Sequence, residues 1–272
     1  MTLEFLSWSP PAPLHHVIES IWDFRAAARP HALERVLPVP GAGLIFNLAE
    51  DQTRVYDEAF ECFRFSAMTL DGPRTCGQII DTAEQVAVMG VVFRSGGASL
   101  FFRERLDRLL NDSVDLEALV GCTAALLREQ LLEARSARRR LALLLRWLQQ
   151  RGTALQPCSA LQHALCTLDA TPRIDALAAT ARELGWSPRT LGERFRQQVG
   201  MSPKRYLRLR RFQQVLGATT NPDQRVDWAG LAVDCGYHDQ AHLAHEFREF
   251  SGLSPTAYHR QRTPWSSHVA VC

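Results

Sequence analysis

With 272 residues, 46% of them hydrophobic and 22% charged, the chain is long enough for about two domains, each burying its own core. Its formal net charge of +2 excludes little, but the balance is uneven: residues 1–110 carry −4, 111–169 carry +1 and 170–272 carry +5. A DNA-binding end collects basic charge in this way. No apolar run approaches the roughly 18 residues of a membrane helix, and no basic segment leads into an apolar one at the N-terminus. The expectation is a cytoplasmic protein with no membrane partner. Lys204 is the only lysine, a bias that points to base composition more than to function. The 7 cysteines include no Cys-x-x-Cys, so no disulfide framework, thiolate metal site or cofactor follows. Cys122 and Cys235 sit among apolar neighbours and are expected to be small core residues.

In chain order, Leu14, Val17, Ile18 and Ile21 recur at helical spacing and predict a helix ending near Trp22. From Val36 to Phe93 the texture changes to short strands between Gly and Pro turns: Leu44–Leu48, the period-two run Phe63–Ala67, and Val86–Phe93, the last either a strand pair or one strand bent at Gly90. These predict a small barrel or sandwich. Gly41 and Gly43 precede a strand and not a helix, so they read as a turn and not a phosphate loop. Arg94-Ser-Gly-Gly97 leads into a short helix expected over 99–109.

Residues 116–150 are helical and Leu-rich. One stripe runs Leu116, Leu119, Leu126, Leu127, Leu131 and another Leu141, Leu144, Leu145, Leu148, with Arg138-Arg139-Arg140 between them. Such stripes suit packing on the barrel and a homodimer contact equally well. Gly152–Pro157 reads as a linker and 161–168 as a short helix. Thr171-Pro172 then opens the last part.

That last part is written twice. Leu191, Phe195, Gly200, Pro203 and Tyr206 recur 52 positions later as Leu243, Phe247, Gly252, Pro255 and Tyr258, while Gly185 pairs with Gly236 at an offset of 51. A repeat of this length marks a duplicated supersecondary unit. Each copy reads as a short helix, a Gly-started turn and a second helix with apolar residues four apart, the build of a helix-turn-helix. In the first unit Ser187 and Pro188 start the second helix. Arg189, Thr190, Glu193 and Arg196 are then its candidate DNA-contacting residues, with Arg189 placed to fork onto guanine and Glu193 to accept from cytosine or to pair with a neighbouring Arg. In the second unit Asp239 is the expected cap, and Gln240, His242, His245 and Arg248 are the outward candidates. His242 and His245 lack an evident third ligand, so no metal is expected. Between the units a helix begins at Ser202-Pro203 and ends at Gly217, with Tyr206, Leu209, Phe212, Val215 and Leu216 buried. Lys204, Arg205, Arg208, Arg210 and Arg211 take its other faces, those near its N-terminus suiting phosphate.

Residues ~170–262 resemble the DNA-binding domain of the AraC/XylS family of transcription regulators. The motifs are Gly185-Trp-Ser-Pro-Arg-Thr-Leu191 with Phe195…Gly200-x-Ser-Pro203-x-x-Tyr206, and Gly236-Tyr-x-Asp-Gln-Ala-His-Leu243 with Phe247…Gly252-x-Ser-Pro255-x-x-Tyr258. The departures are Gly192 and Glu193, where long polar or basic side chains are commoner. Leu37-Pro-x-Pro-Gly41-x-x-Leu44-Ile-Phe-Asn-Leu48 and Gly90-Val-Val-Phe-Arg-Ser-Gly-Gly97 resemble cupin-like sensor domains of an uncharacterised subgroup, departing from its pattern at Pro40 and Ser95. The resemblance implies an α+β protein: a cupin-like β-barrel or sandwich with flanking helices, then an all-α domain of two helix-turn-helix units joined by a linker helix. The expected segments are 1–112 (sensor), 113–169 (helical linker or dimerisation), 170–262 (DNA binding) and 263–272 (tail). The resemblance also implies a sequence-specific regulator whose partners are double-stranded DNA and RNA polymerase, with the N-terminal part binding a small effector or mediating homodimerisation. Two alternatives stand beside it: a regulator governed by protein partners without a ligand, and a DNA-binding module fused to an enzyme. The second lacks an activated thiolate cluster, a Gly-x-Ser-x-Gly elbow and a phosphate loop. Trp22, Phe46 and Arg94 could line a ligand pocket, but core and surface are the readings their residue types favour.

Overall fold

Side chains that alternate between two environments build the first part of the chain. The computed structural model describes residues 4–27, 33–83, 85–102, 104–152, 159–219, 226–263 and 265–271. Its strands are β1 (Glu4–Trp8), β2 (Ile18–Arg25), β3 (Leu33–Val36), β4 (Gly43–Asn47), β5 (Gln52–Tyr56), β6 (Cys62–Ser66), β7 (Met68–Asp71), β8 (Gln78–Asp81), β9 (Ala87–Phe93), β10 (Ser113–Asp115) and β11 (His268–Ala270). They form two sheets, one in the order β1-β2-β9-β4-β7-β10 and the other β11-β3-β8-β5-β6. All the pairings are antiparallel. The sheets meet where β6 turns into β7, and the Ser66 N–H donates to Asp115 Oδ1 there at 2.7 Å.

The helix expected over 14–22 is a strand. A 3₁₀ turn covers Leu14–His16 and β2 follows it. A register shift between Ile18 and Ser20 in the pairing with β9 explains the misreading. A bulge adds one residue to a strand, so Ile18 and Ile21 point to the same side at a spacing that imitates a helix. After the bulge the strand alternates: Ile21 and Asp23 face the helices, while Ser20, Trp22 and Phe24 face the space between the sheets. Of Val86–Phe93, Ala87–Phe93 form one strand, β9, paired with β2 and β4. Gly90 lies in it because a Cβ there would stand 2.4 Å from the Leu44 carbonyl oxygen and 2.7 Å from the Trp22 ring.

Residues 99–109 are not a continuous helix but two 3₁₀ turns, Ala98–Leu100 and Leu106–Leu109. Adjacent Phe101 and Phe102 are both buried, each against Phe93. A regular helix would set neighbours about 100° apart and expose one of them. The Leu-rich segment forms α1 (Leu116–Val120), α2 (Thr123–Glu133) and α3 (Ala137–Gly152). Leu116, Leu127, Leu131, Leu141, Leu144 and Leu148 pack on the outer face of the six-stranded sheet. The stripes therefore serve this chain's own core, with Leu126 and Leu132 left exposed. Cys122 is exposed in the turn before α2, contrary to the core expectation, whereas Cys235 is buried. The residues read as a linker after Gly152, and Cys158 and Cys272, lie outside the described residues.

The remaining helices are α4 (Ser159–Ala170), α5 (Ala176–Glu183), α6 (Pro188–Val199), α7 (Pro203–Ala218), α8 (Trp228–Asp234), α9 (Gln240–Ser251) and α10 (Pro255–Gln261). They share a second core, to which α4 contributes Leu161, Ala164, Leu165 and Leu168. Segment 113–169 thus divides: α1 to α3 complete the first core, and α4 joins the second. The tail is a strand as well. His268, Val269 and Ala270 pair with Val36, Arg35 and Glu34, so β11 closes one edge of the five-stranded sheet.

An ion pair fixes α3 on β2. Arg140 Nε and Nη2 donate to the Asp23 carboxylate at 2.5 and 2.9 Å, and Nη1 donates to the Ala134 carbonyl at 2.9 Å. Both side chains are about 95% buried. Removing one partner of such a pair strands the other charge in low dielectric. Asp23→Ala is expected to cost about 3–5 kcal/mol, read as a lowered denaturation midpoint in urea; a midpoint within error of the parent would show that water reaches Arg140.

Candidate nucleic-acid interface

Each helix-turn-helix is set by local chemistry. In the first unit the turn after α5 passes through Gly185 at φ +65°, with open space where a Cβ would be. Ser187 then caps α6 by accepting the Thr190 N–H at 3.0 Å, and Pro188 fills the first turn. In the second unit Gly236 takes φ +75° and Asp239 caps α9, accepting the His242 N–H at 2.7 Å. That bond, with His238 beside it, holds the Asp239 carboxyl below its usual range. The apolar repeat positions Leu191, Phe195, Leu243 and Phe247 are all buried. Phe195 stacks edge-on to Tyr206 at 5.6 Å, and its counterpart Phe247 lies 5.3 Å from Tyr258.

Between the units, α7 starts at the Ser202 cap, which accepts the Arg205 N–H. It buries the expected stripe and continues one residue past Gly217. Its charges are not mostly solvated. Arg211 is 6% exposed: Nη2 lies 3.1 Å from both Glu246 oxygens, Nη1 donates to the Gly236 carbonyl at 3.3 Å, and the guanidinium sits 5.0 Å from the Tyr237 ring centroid. Arg208 Nε donates to Glu246 at 2.6 Å and Nη2 to Glu249. Arg210 pairs with Asp169 on α4 at 2.9 Å, and the Tyr206 hydroxyl also donates to Asp169. Burial raises the Asp169 carboxyl, and burial together with that carboxylate pushes the Tyr206 phenol up. These Arg side chains, expected to suit solvent or phosphate, instead lock α4, α7 and α9 together. Lys204 and Arg205, at the N-terminal end of α7, are exposed.

On α6, Arg189 and Arg196 are exposed, and Arg189 Nε donates to Glu193 Oε1 at 3.0 Å. Thr190 is half-buried and shares its hydroxyl with Ser187. On α9, Gln240, His245 and Arg248 are exposed. His242 is half-turned inward, with Nε2 3.4 Å from Glu246 and its ring edge-on to Tyr237. Both units dock on the first domain through the ends of these helices. A Cβ on Gly200 would lie 2.5 Å from Pro73 and 2.9 Å from the Leu106 carbonyl oxygen; one on its repeat counterpart Gly252 would lie 3.1 Å from Arg35 Nη1. The docked ends leave the faces carrying Arg189, Arg196, Gln240 and Arg248 open.

Between the two sheets lies a cavity of about 600 Å³. Trp22, Ile45, Val55, Phe65, Ile80 and Val88 form its apolar wall, and Glu34, Thr53, Thr69, Asp71 and Gln78 its polar positions. Trp265, Ser267 and His268 of the tail also face it, and His268 Nδ1 lies 3.0 Å from a Glu34 oxygen. Of the three candidate pocket residues, Trp22 lines this cavity. Phe46 is fully buried on the opposite face of the sheet. Arg94, whose Nε donates to the His15 carbonyl, borders a separate polar cavity between α4, α7 and the first domain. The remaining lining residues were illegible in sequence because their alternation is split among six or more short strands.

Residues 180–261 match the helix-turn-helix domain family, and residues 7–115 match a family described as a domain of unknown function (DUF6597). The C-terminal segment is an AraC-type double helix-turn-helix domain. A search of curated proteins returned no match. Among solved structures the chain is similar to ToxT from Vibrio cholerae, seen at 1.65 Å resolution, with 10% identity, a TM-score of 0.50, and 94% of this chain and 97% of that one covered. ToxT bound to (E)-4-(8-methylnaphthalen-1-yl)but-3-enoic acid aligns at 10% identity and TM-score 0.49, covering 94% and 98%. ToxT with an unsaturated fatty acid aligns at 11% identity and TM-score 0.46, covering 95% of each chain. At such identities the likeness to the first of these shows a common fold, a β-rich domain followed by the AraC-type helices. The AraC-type domain makes the chain a DNA-binding transcription regulator.

Because Glu246 neutralises Arg211 in a buried setting, Glu246→Ala is expected to cost about 3–5 kcal/mol. Glu249→Ala, at the more exposed end of the same cluster, is expected to cost about 0–1 kcal/mol. Equal losses in chemical denaturation would show that the cluster stabilises only through the surface.

Proposed function

We propose that the regulator reads DNA with α6 and α9 and is switched by a small effector seated between the two sheets. The observation that carries the switch is the path of the chain beyond α10. Tyr258 donates its hydroxyl to the Ser266 carbonyl at 2.7 Å, and the segment then passes Trp265 and His268 along the cavity before pairing with β3. A ligand touching that wall touches a strand covalently continuous with the second reading unit. Docking at Gly200 and Gly252 supplies two further contacts whose strength depends on the shape of the first domain.

On DNA, Arg189 exchanges its exposed partner Glu193 for guanine O6 and N7, and Gln240 pairs with adenine. Surface pairs of this kind are worth little, so the exchange is cheap. Lys204 and Arg205 at the N-terminus of α7 take phosphate, where the helix dipole adds to their charge. Arg196, His245 and Arg248 flank these contacts, and Thr190 and His242 hold the helix starts. RNA polymerase is the partner on which such a regulator acts.

Arg189→Ala is expected to lose about 1–3 kcal/mol on the specific site and to relax preference at one base position; equal loss on random DNA would show a phosphate contact only. Arg205→Ala is expected to weaken binding to all sequences and lower the salt slope by about one, and an unchanged slope would remove it from the interface. Val269→Asp, which unzips β11, is expected to change DNA affinity while every groove residue is intact. Unchanged affinity, with a near-ultraviolet spectrum reporting the released tail, would show that the tail carries no signal.

A further inference from the structure

The chemistry of the cavity lining allows the effector class to be named, an inference that rests on reading this cavity as the effector site. We propose that it takes a compact aromatic or alicyclic molecule carrying a protonated amine, and that it discriminates against carboxylates. The volume of about 600 Å³ is that of a pocket for a small organic molecule. Its apolar wall is dominated by Trp22 and Phe65, and the Trp22 indole rests directly on the bare backbone of Gly90. That wall selects a hydrophobic, preferably flat, body.

The polar positions decide the charge. Gln78 Oε1, an acceptor only, and Thr53 Oγ1 are buried without a hydrogen-bond partner in the protein, and Thr53 is 5% exposed. Asp71 follows Thr69 by two along β7 and so shares its inward face. Its carboxylate has no ion-pair or hydrogen-bond partner among the described residues. Glu34, 1% exposed, adds a second carboxylate, next to His268.

Among the described residues one guanidinium lines the cavity, and it is largely engaged: Arg74 Nη1 donates to the Asn111 carbonyl at 3.1 Å and Nη2 to Ser113 Oγ at 2.9 Å, leaving Nε–H. A bound carboxylate would gain that donor and the Thr53 hydroxyl, but would face the Asp71 carboxylate in a low-dielectric space. An ammonium would gain the Asp71 carboxylate, the Gln78 and Thr53 oxygens and the faces of Trp22 and Phe65, which attract cations. The Asp71 carboxylate and the unpartnered Gln78 oxygen both accept, and a cationic amine on an aromatic body donates to them.

The test uses the full chain and three probes of one shape: 2-phenylethylamine, 2-phenylethanol and 3-phenylpropanoate. Binding is read by calorimetry and by the shift in thermal midpoint. The amine is expected to bind at least tenfold more tightly than the carboxylate, and Asp71→Asn to weaken the amine at least tenfold while changing the alcohol less than threefold. Thr53→Val serves as a second, milder variant expected to weaken the amine. Preferential binding of the carboxylate, or an amine affinity unaffected by both variants, overturns the proposal. Val88→Trp, which fills the cavity, separates the two levels of the argument. If it abolishes binding of a preferred carboxylate or alcohol, the cavity is the effector site and the amine class is wrong. If no probe binds, the amine assignment falls; if the bound probes ignore Val88→Trp, the cavity reading falls with it.

Discussion

Glu246 is where the second half of the molecule is held together. Two arginines of α7, Arg208 and Arg211, converge on its carboxylate, and Arg211 also reaches the carbonyl of Gly236 in the turn before α9. One buried carboxylate thereby sets the angle of α9, the position of its turn and the rotation of α7. A buried charge is tolerated only with its partners in place, so this geometry has little freedom to drift. Two reading helices can address a duplex in register only if the element between them is stiff. The polar cluster adds that directional stiffness to a helix whose apolar stripe already fills the second core.

The two halves of the duplication have acquired different attachments from the same parts. Tyr206 and Tyr258 hold equivalent places against Phe195 and Phe247. Yet the first donates its hydroxyl to Asp169 on α4, and the second to Ser266 in the segment leading to β11. Each tyrosine ties its unit to the piece of chain that reaches the first domain. The equivalent glycines, Gly200 and Gly252, then seat both units on that domain at points where no side chain fits comfortably. The first domain is thus joined to both units by matched contacts.

What was legible in the sequence was whatever is decided locally. Ser187, Ser202 and Asp239 all cap the helices they precede, and Gly185 and Gly236 adopt the positive φ that their turns require. The repeat made those signals readable twice. Misreadings came where tertiary packing overrides local pattern. The bulge in β2 gave a strand the spacing of a helix, and the paired burial of Phe101 and Phe102 broke a helix into 3₁₀ turns. Partners distant in sequence were invisible: Asp23 and Arg140 lie 117 residues apart, and Arg211 and Glu246 lie 35 apart. Arg211 therefore passed for a solvated surface charge when it is a structural one, and the cavity emerged only when short strands of both sheets were brought face to face.

The strand β11 also bears on the order in which the molecule can be made. His268 meets Glu34 across 234 residues of chain. A domain emerging from the ribosome generally folds as a unit, N-terminal part first. Here β3 must wait, one edge unpaired, while both DNA-reading units are synthesised. An open strand edge is a template for pairing with other chains. Until its last partner arrives the nascent sandwich is therefore the vulnerable state, and completion of the cavity between the sheets is a late event that reports that the helix-turn-helix units have already been made.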